Sequence, residues 1–153
     1  MQTLRRRHTR EDSAARGTRN RPVLLVTLDV PYAKEAVAFA VDAAVENGQP
    51  LVFVNVAEVL PTAYSLLGYG YVEREELQDA LREPVELARS LAVPVERLRV
   101  CSPHPVDALL EVVAEHDPAV LVFGPDRRHV SRRRYRKAER AVRERAACLV
   151  WSS

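Results

Sequence analysis

Val23-Leu24-Leu25-Val26-Thr27-Leu28-Asp29 is an apolar run ending on a carboxylate, and Leu51-Val52-Phe53-Val54-Asn55-Val56 is a second run of the same kind. Neither alternates between apolar and polar residues. Runs of this length that are apolar almost throughout mark strands buried on both faces. Between them, Ala33 to Asn47 places apolar residues at Val37, Ala40, Val41, Ala44 and Val45, and Asn47-Gly48 follows. That spacing is helical, and Asn-Gly supplies the left-handed stop that helices favour. Strand, helix and strand within about 34 residues form a βαβ unit with a right-handed crossover.

The pattern continues toward the carboxyl end. Residues 57–70 make a connection longer than a strand-to-helix link needs, with Pro61, Gly68 and Gly70 as breakers and Tyr64, Leu66, Leu67 and Tyr69 as apolar content. They read as a lid or as cover for a sheet edge. Glu73 to Ala92 is helical in period, and Pro84 inside it implies a kink or two helices in succession. Val95 to Cys101 sets Arg97 and Arg99 against Leu98 and Val100, an alternation that suits a sheet-edge strand. Pro103 and Pro105 frame the turn into a helix from Val106 to His116, in which Asp107, Glu111 and Glu115 share one solvated face. Ala119 to Phe123 is a fourth strand, Arg134 to Arg145 a short helix, and Cys148-Leu149-Val150-Trp151 a fifth strand. Five apolar strands separated by helices predict an α/β, doubly wound five-stranded parallel sheet with helices on both faces. Ligands of such sheets bind outside the carboxyl ends of the strands, where Asp29, Val56 and Gly124 stand.

At 153 residues, 47% hydrophobic and 29% charged, the chain suits one domain over residues 22–153. Residues 1–21 hold almost no apolar content and read as a disordered basic arm. No apolar run approaches the roughly 18 residues of a membrane span, and none follows Arg5-Arg6-Arg7 as a secretory signal requires. Cys101 and Cys148 lack metal or redox spacing and read as reduced thiols of a cytoplasmic protein. Residues 1–22 carry seven Arg against Glu11 and Asp12, residues 23–124 six basic against sixteen acidic side chains, and residues 125–153 ten basic against three acidic. An acidic body thus has two basic ends. They fold back on that body, pair with it across a dimer, or form a polyanion-binding face. A net charge of +2 leaves little excess to attract nucleic acid, so no nucleic-acid partner is expected. His8, His104, His116 and His129 show no spacing to a nucleophile or metal ligand, so neither an enzyme nor a metal site is expected.

The remaining stretch, Val120 to Lys137, runs an apolar strand into Gly124 and then through Arg127, Arg128, Arg132, Arg133 and Arg134 into a helix. A strand end facing a helix N-terminus is where an α/β domain holds phosphate. Cations there are unfavourable by about 0.3–1 kcal/mol each unless an anion or acidic partner offsets them.

Taken in order, the Val23–Asp29 and Val52–Val56 runs, Pro105-Val-Asp-Ala-Leu-Leu-Glu-Val-Val-Ala-Glu, Asp117-Pro-Ala-Val-Leu-Val-Phe-Gly and Arg145-Ala-Ala-Cys-Leu-Val resemble the universal stress protein family. The resemblance implies a Rossmann-like sheet of strand order 3-2-1-4-5, a cytoplasmic homodimer and a role in stress response without a defined reaction. One branch of that family binds ATP through G-x-x-G, about nine residues, then G-[S/T], glycines that bring backbone amides onto phosphates. A gapless match puts those positions at Gly124, Arg127, Lys137 and Ala138, so one of four survives. Asp29 and Val56 match the family's carboxylate and adenine-side valine. The expected function is therefore a non-catalytic module that acts by protein interaction, with no cofactor and no ATP bound in the usual mode. The alternative is a site for ATP, another nucleotide or a phosphorylated anion. In it Arg127, Arg128, Arg132 and Lys137 replace the glycine loop and Asp29 takes the ribose or base.

Overall fold

A computed structural model describes residues 4–7, 21–60 and 73–153. Its strands are β1 (Leu4–Arg7), β2 (Val23–Thr27), β3 (Leu51–Glu58), β4 (Val95–Ser102), β5 (Val120–Phe123) and β6 (Leu149–Ser152), in the sheet order β1-β4-β3-β2-β5-β6. The five strands from β2 onward are parallel to their neighbours and carry the 3-2-1-4-5 order counted from Val23. The helices are α1 (Lys34–Asn47), α2 (Glu75–Ser90), α3 (Pro105–His116) and α4 (Arg132–Arg145).

Burial on both faces follows from the unbroken apolar runs. Val23, Leu25, Leu51, Phe53, Val120 and Val122 pack with α1 and α2 on one face. Leu24, Val26, Val52, Val54, Leu121 and Phe123 pack with α3 and α4 on the other. Local signals end the helices: α1 stops at Gly48 with φ 61°, and the Ser131 hydroxyl accepts the Arg134 N–H to cap α4. Pro84 lies inside one uninterrupted helix α2, whose buried stripe of Leu77, Leu81, Val85 and Ala88 runs through it. A tertiary stripe of that length offsets the one backbone donor that proline removes.

Two expectations change at the edge. β4 is the last parallel strand, yet it is not the sheet edge, because β1 pairs with it antiparallel from Leu4 opposite Cys101 to Arg7 opposite Leu98. Leu4–Arg7 is therefore extended structure rather than part of a disordered arm, while residues 8–20 lie outside the described residues. The physical reason is the row of donors and acceptors that an eight-residue outer strand leaves open, which a short strand satisfies. The lid or edge cover expected from residues 57–70 falls largely on 61–72, also outside the described residues.

At the end of α3, His116 Nδ1 lies 2.9 Å from the Val112 carbonyl and Nε2 3.9 Å from a Glu96 carboxylate oxygen. The nearby Glu96 carboxylate raises the His116 pKa above its ordinary 6.5, against the opposing effect of burial. A raised folded-state pKa adds stability that is complete below about 6.5 and is lost as pH climbs through the folded value. Urea titrations across that range should show wild type weakening with rising pH more than His116→Gln does. Equal slopes would remove the Glu96 pairing as a contributor.

Candidate functional site

The strand order reverses between β2 and β5, so the ligand-binding crevice of such a sheet lies beyond Thr27 and Phe123. Asp29 leaves β2 in the left-handed region, with φ 59°. A non-glycine residue holds that conformation only at a cost of about 1 kcal/mol or more. Asn55, buried on β3, fixes it: its Oδ1 accepts the Asp29 N–H at 2.8 Å. The Asn55 Nδ2 donates to Asp29 Oδ1 at 3.4 Å and to Glu73 Oε2 at 3.2 Å. Two carboxylates thus meet over one amide at the β3 side of the crevice.

Across the reversal point the loops after β2 and β5 are stitched together. Ala33 N–H donates to the Gly124 carbonyl and Asp126 N–H to the Pro31 carbonyl, both at 2.9 Å. Tyr32 and Pro125 form an antiparallel bridge between these bonds. Tyr32 is buried and donates its hydroxyl to the Val54 carbonyl. Burial pushes its pKa upward, so the hydroxyl stays a donor throughout the ordinary pH range.

Gly124 takes part in this stitching rather than in an open cradle. Its N–H donates to the Val26 carbonyl at 2.9 Å, continuing the β2–β5 ladder. A Cβ at this position would meet the Ala36 Cβ at 2.5 Å and Leu25 Cδ1 at 3.0 Å. The missing side chain is what lets β5 pass beneath α1.

The following loop is organised by Asp126, which is buried. Its carboxylate accepts from Arg128 N at 3.0 Å, Nε at 3.1 Å and Nη2 at 2.8 Å, and its carbonyl accepts the His129 N–H at 3.0 Å. The hydrogen bond from the Arg128 side chain holds the Asp126 carboxyl below the usual carboxylate range. Arg127 turns the other way. Its guanidinium lies 4.3 Å above the Tyr135 ring, reaches the Ser153 carbonyl and stands 3.9 Å from Glu139.

The residues singled out in the sequence are therefore dispersed. Gly124, Arg127 and Arg128 share one loop, but the two arginines point to Tyr135 and Asp126. Val56 is fully buried in the core beneath α3, and Ala138 is buried on the inner side of α4. Arg132 and Lys137 are exposed on α4. Sequence reasoning missed Asn55 and Asp126. The one available signal for Asn55 is a lone amide within an otherwise apolar buried strand, which demands partners.

Residues 19–151 match the family model described as the universal stress protein family. The chain belongs to that family. Its fold is that of the universal stress protein UspA from Lactobacillus plantarum, at 16% identity and a TM-score of 0.63, covering 87% of this chain and 97% of that one. It also matches a universal stress protein in complex with cAMP, at 20% identity and TM-score 0.58 over 88% and 96% of the two chains. A third similar structure is the Archaeoglobus fulgidus universal stress protein in complex with dAMP, at 19% identity and TM-score 0.58 over 86% and 95%. A search of the curated proteins found no match. Among the described residues of this family member, no helix is long and apolar enough to cross a membrane. No group of three or more His, Cys, Asp or Glu among them could hold a metal ion.

Proposed function

We propose that this chain is a non-catalytic universal stress protein module of the cytoplasm. In this reading it is a homodimer in the stress response that acts through protein contacts and binds no ATP in the usual glycine-loop mode. The observation carrying this reading is the commitment of four amides in the segment after β5. The N–H groups of Gly124, Asp126, Arg128 and His129 all donate within the protein, so they are spent before any phosphate arrives. Phosphate cradles work because such amides point at the ligand. The residues at 127, 137 and 138 are not the Gly, Gly and Ser/Thr of the nucleotide-binding motif, which agrees with that use of the backbone.

The dimer is supported by the edge of β6, which has no further strand beside it among the described residues. Leu149 there is 71% exposed, and Trp151 stacks on Phe39 of α1 with ring centroids 4.6 Å apart. An uncovered strand edge flanked by apolar side chains pairs readily with its own copy about a two-fold axis.

The nucleotide complexes among the similar structures favour a second reading, an anion site built on Arg127, Arg128, Arg132 and Lys137 with Asp29 at the ribose or base end. It requires Arg127 to leave Tyr135 and Arg128 to leave Asp126.

Calorimetry with ATP should give no saturable heat up to about 100 μM nucleotide, and sedimentation should give twice the chain mass. Low-micromolar or tighter ATP binding overturns the first reading. If that binding disappears when Arg127, Arg128, Arg132 and Lys137 become Gln, the arginine site takes its place. A monomeric mass overturns the dimer.

A further inference from the structure

We infer that the outer faces of α4 and α2 are complementary, and that one copy of this chain docks its α4 on the α2 of a second copy. The contact shares Lys137 with the anion-site reading and adds to any pairing at the β6 edge without requiring it.

On α4, Arg133, Arg136, Lys137 and Arg140 follow i, i+3, i+4, i+7 spacing, which gathers them on one side over about 10 Å. They lie opposite the buried Tyr135, Ala138 and Val142. All four are exposed and line a shallow concavity of about 370 Å³. Among the described residues Arg133, Arg136 and Lys137 form no ion pair, and Arg140 pairs only with Glu144 of its own helix. The first turn of α4 contains no acidic residue to offset them. This concentration of cation at a helix start is unfavourable in the isolated molecule.

Its complement is on the same chain but cannot be reached within it. Glu76, Asp79, Glu83 and Glu86 of α2 are exposed at i, i+3, i+7, i+10, opposite the buried Leu77, Leu81, Val85 and Ala88. Of these only Asp79 has an ion pair among the described residues, to Arg82 of its own helix. α2 packs on the sheet face shared with α1, and α4 on the face shared with α3. The two charged faces therefore point away from each other across the sheet, and only another molecule brings them together.

The chemistry of the α4 face selects among anionic occupants. It carries no exposed aromatic side chain on which bases could stack and no large apolar one to enter a lipid surface. What it offers is a row of cations at helical spacing, with Glu144 at its far end, facing a row of carboxylates at helical spacing in which Arg82 pairs with Asp79. A contact between two different faces is head-to-tail, so it extends assemblies beyond a closed pair.

Sedimentation of the full chain at about 20 mM and about 300 mM salt reads this directly, since exposed pairs weaken as the Debye length shrinks. The expected result is a larger average mass at low salt than at high salt, with the association constant falling at least tenfold between the two. Arg133→Glu/Arg136→Glu/Lys137→Glu and Glu76→Lys/Glu83→Lys/Glu86→Lys should each lose the association alone. Mixing the two variants should restore it as a mixed assembly. Gln variants at the same positions, which remove charge without reversing it, should fall between wild type and the reversals. Mass unaffected by salt and by both reversals overturns the inference, as does failure of the mixture to assemble while both variants keep wild-type melting curves. Duplex DNA or anionic vesicles retained at low salt by wild type and lost in the α4 variant, without self-association, would assign the face to phosphate instead.

Discussion

Gly124→Ala should cost about 3 kcal/mol of stability, a drop in Tm of roughly 6–12 °C for a chain of this size. The added methyl meets the Ala36 Cβ at 2.5 Å, a contact between two atoms fixed to backbone, so no rotamer change relieves it. Either β5 or α1 must shift. Both are tied down, because Gly124 N–H is bonded to Val26 and the Gly124 carbonyl to Ala33 N–H. The second close atom, Leu25 Cδ1 at 3.0 Å, is the tip of a side chain and can give way. That difference supplies the control. Ala36→Gly alone should cost about 1 kcal/mol through helix propensity, but combined with Gly124→Ala it removes the hard contact. The double variant should therefore be more stable than Gly124→Ala by itself, which requires a coupling larger than the cost of Ala36→Gly, about 2 kcal/mol. Denaturant titrations of the four proteins complete the cycle. Additive effects would show that the glycine is not held by its approach to Ala36.

The role of Gly124 is not legible in the sequence around it. A glycine at the end of an apolar strand, before an arginine-rich helix start, has the pattern of a phosphate loop. The pattern is local, whereas the reason for the glycine is the passage of α1 across β5, some ninety residues away in the chain. Arg127 is similar. Its neighbours in sequence suggest an anion, but its guanidinium settles over Tyr135 on the next helix. The strands were legible because burial on both faces demands apolar residues at nearly every position, a signal contained within each run. The end of α1 was legible for the same reason, through Asn47-Gly48, whereas α4, expected from Arg134, begins at Arg132 behind the Ser131 cap. β1 was not, since three arginines after Leu4 carry no apolar pattern and pairing there depends on the open edge of β4. Charge segregation was visible in the sequence. That the basic α4 and the acidic α2 lie on opposite faces of the sheet, with the acidic α3 on the α4 face, was not.

Asn55→Ala should cost about 2–3 kcal/mol, more than its small loss of volume explains. Removing the amide leaves the Asp29 N–H without its 2.8 Å acceptor in a part-buried position. An orphaned donor of that kind costs about 1–3 kcal/mol. Asp29 also loses the bond that holds its left-handed backbone, and it no longer shares a donor with Glu73. Asn55→Asp separates these effects. It keeps an oxygen acceptor for Asp29 N–H but substitutes a third carboxylate for the donor between two others. At neutral pH this variant should be at least as unstable as Asn55→Ala, because like charges then crowd a part-buried site. On acidification toward pH 5 its deficit relative to Asn55→Ala should shrink as the cluster takes up a proton. Chemical denaturation of both variants at the two pH values reads the outcome. If the Asp variant is as stable as wild type at neutral pH, the Nδ2 bonds contribute nothing and Asn55 serves only as an acceptor. If both variants are neutral, the polar cluster at the ends of β2 and β3 does not fix Asp29. The left-handed turn must then be held by the stitched loops alone.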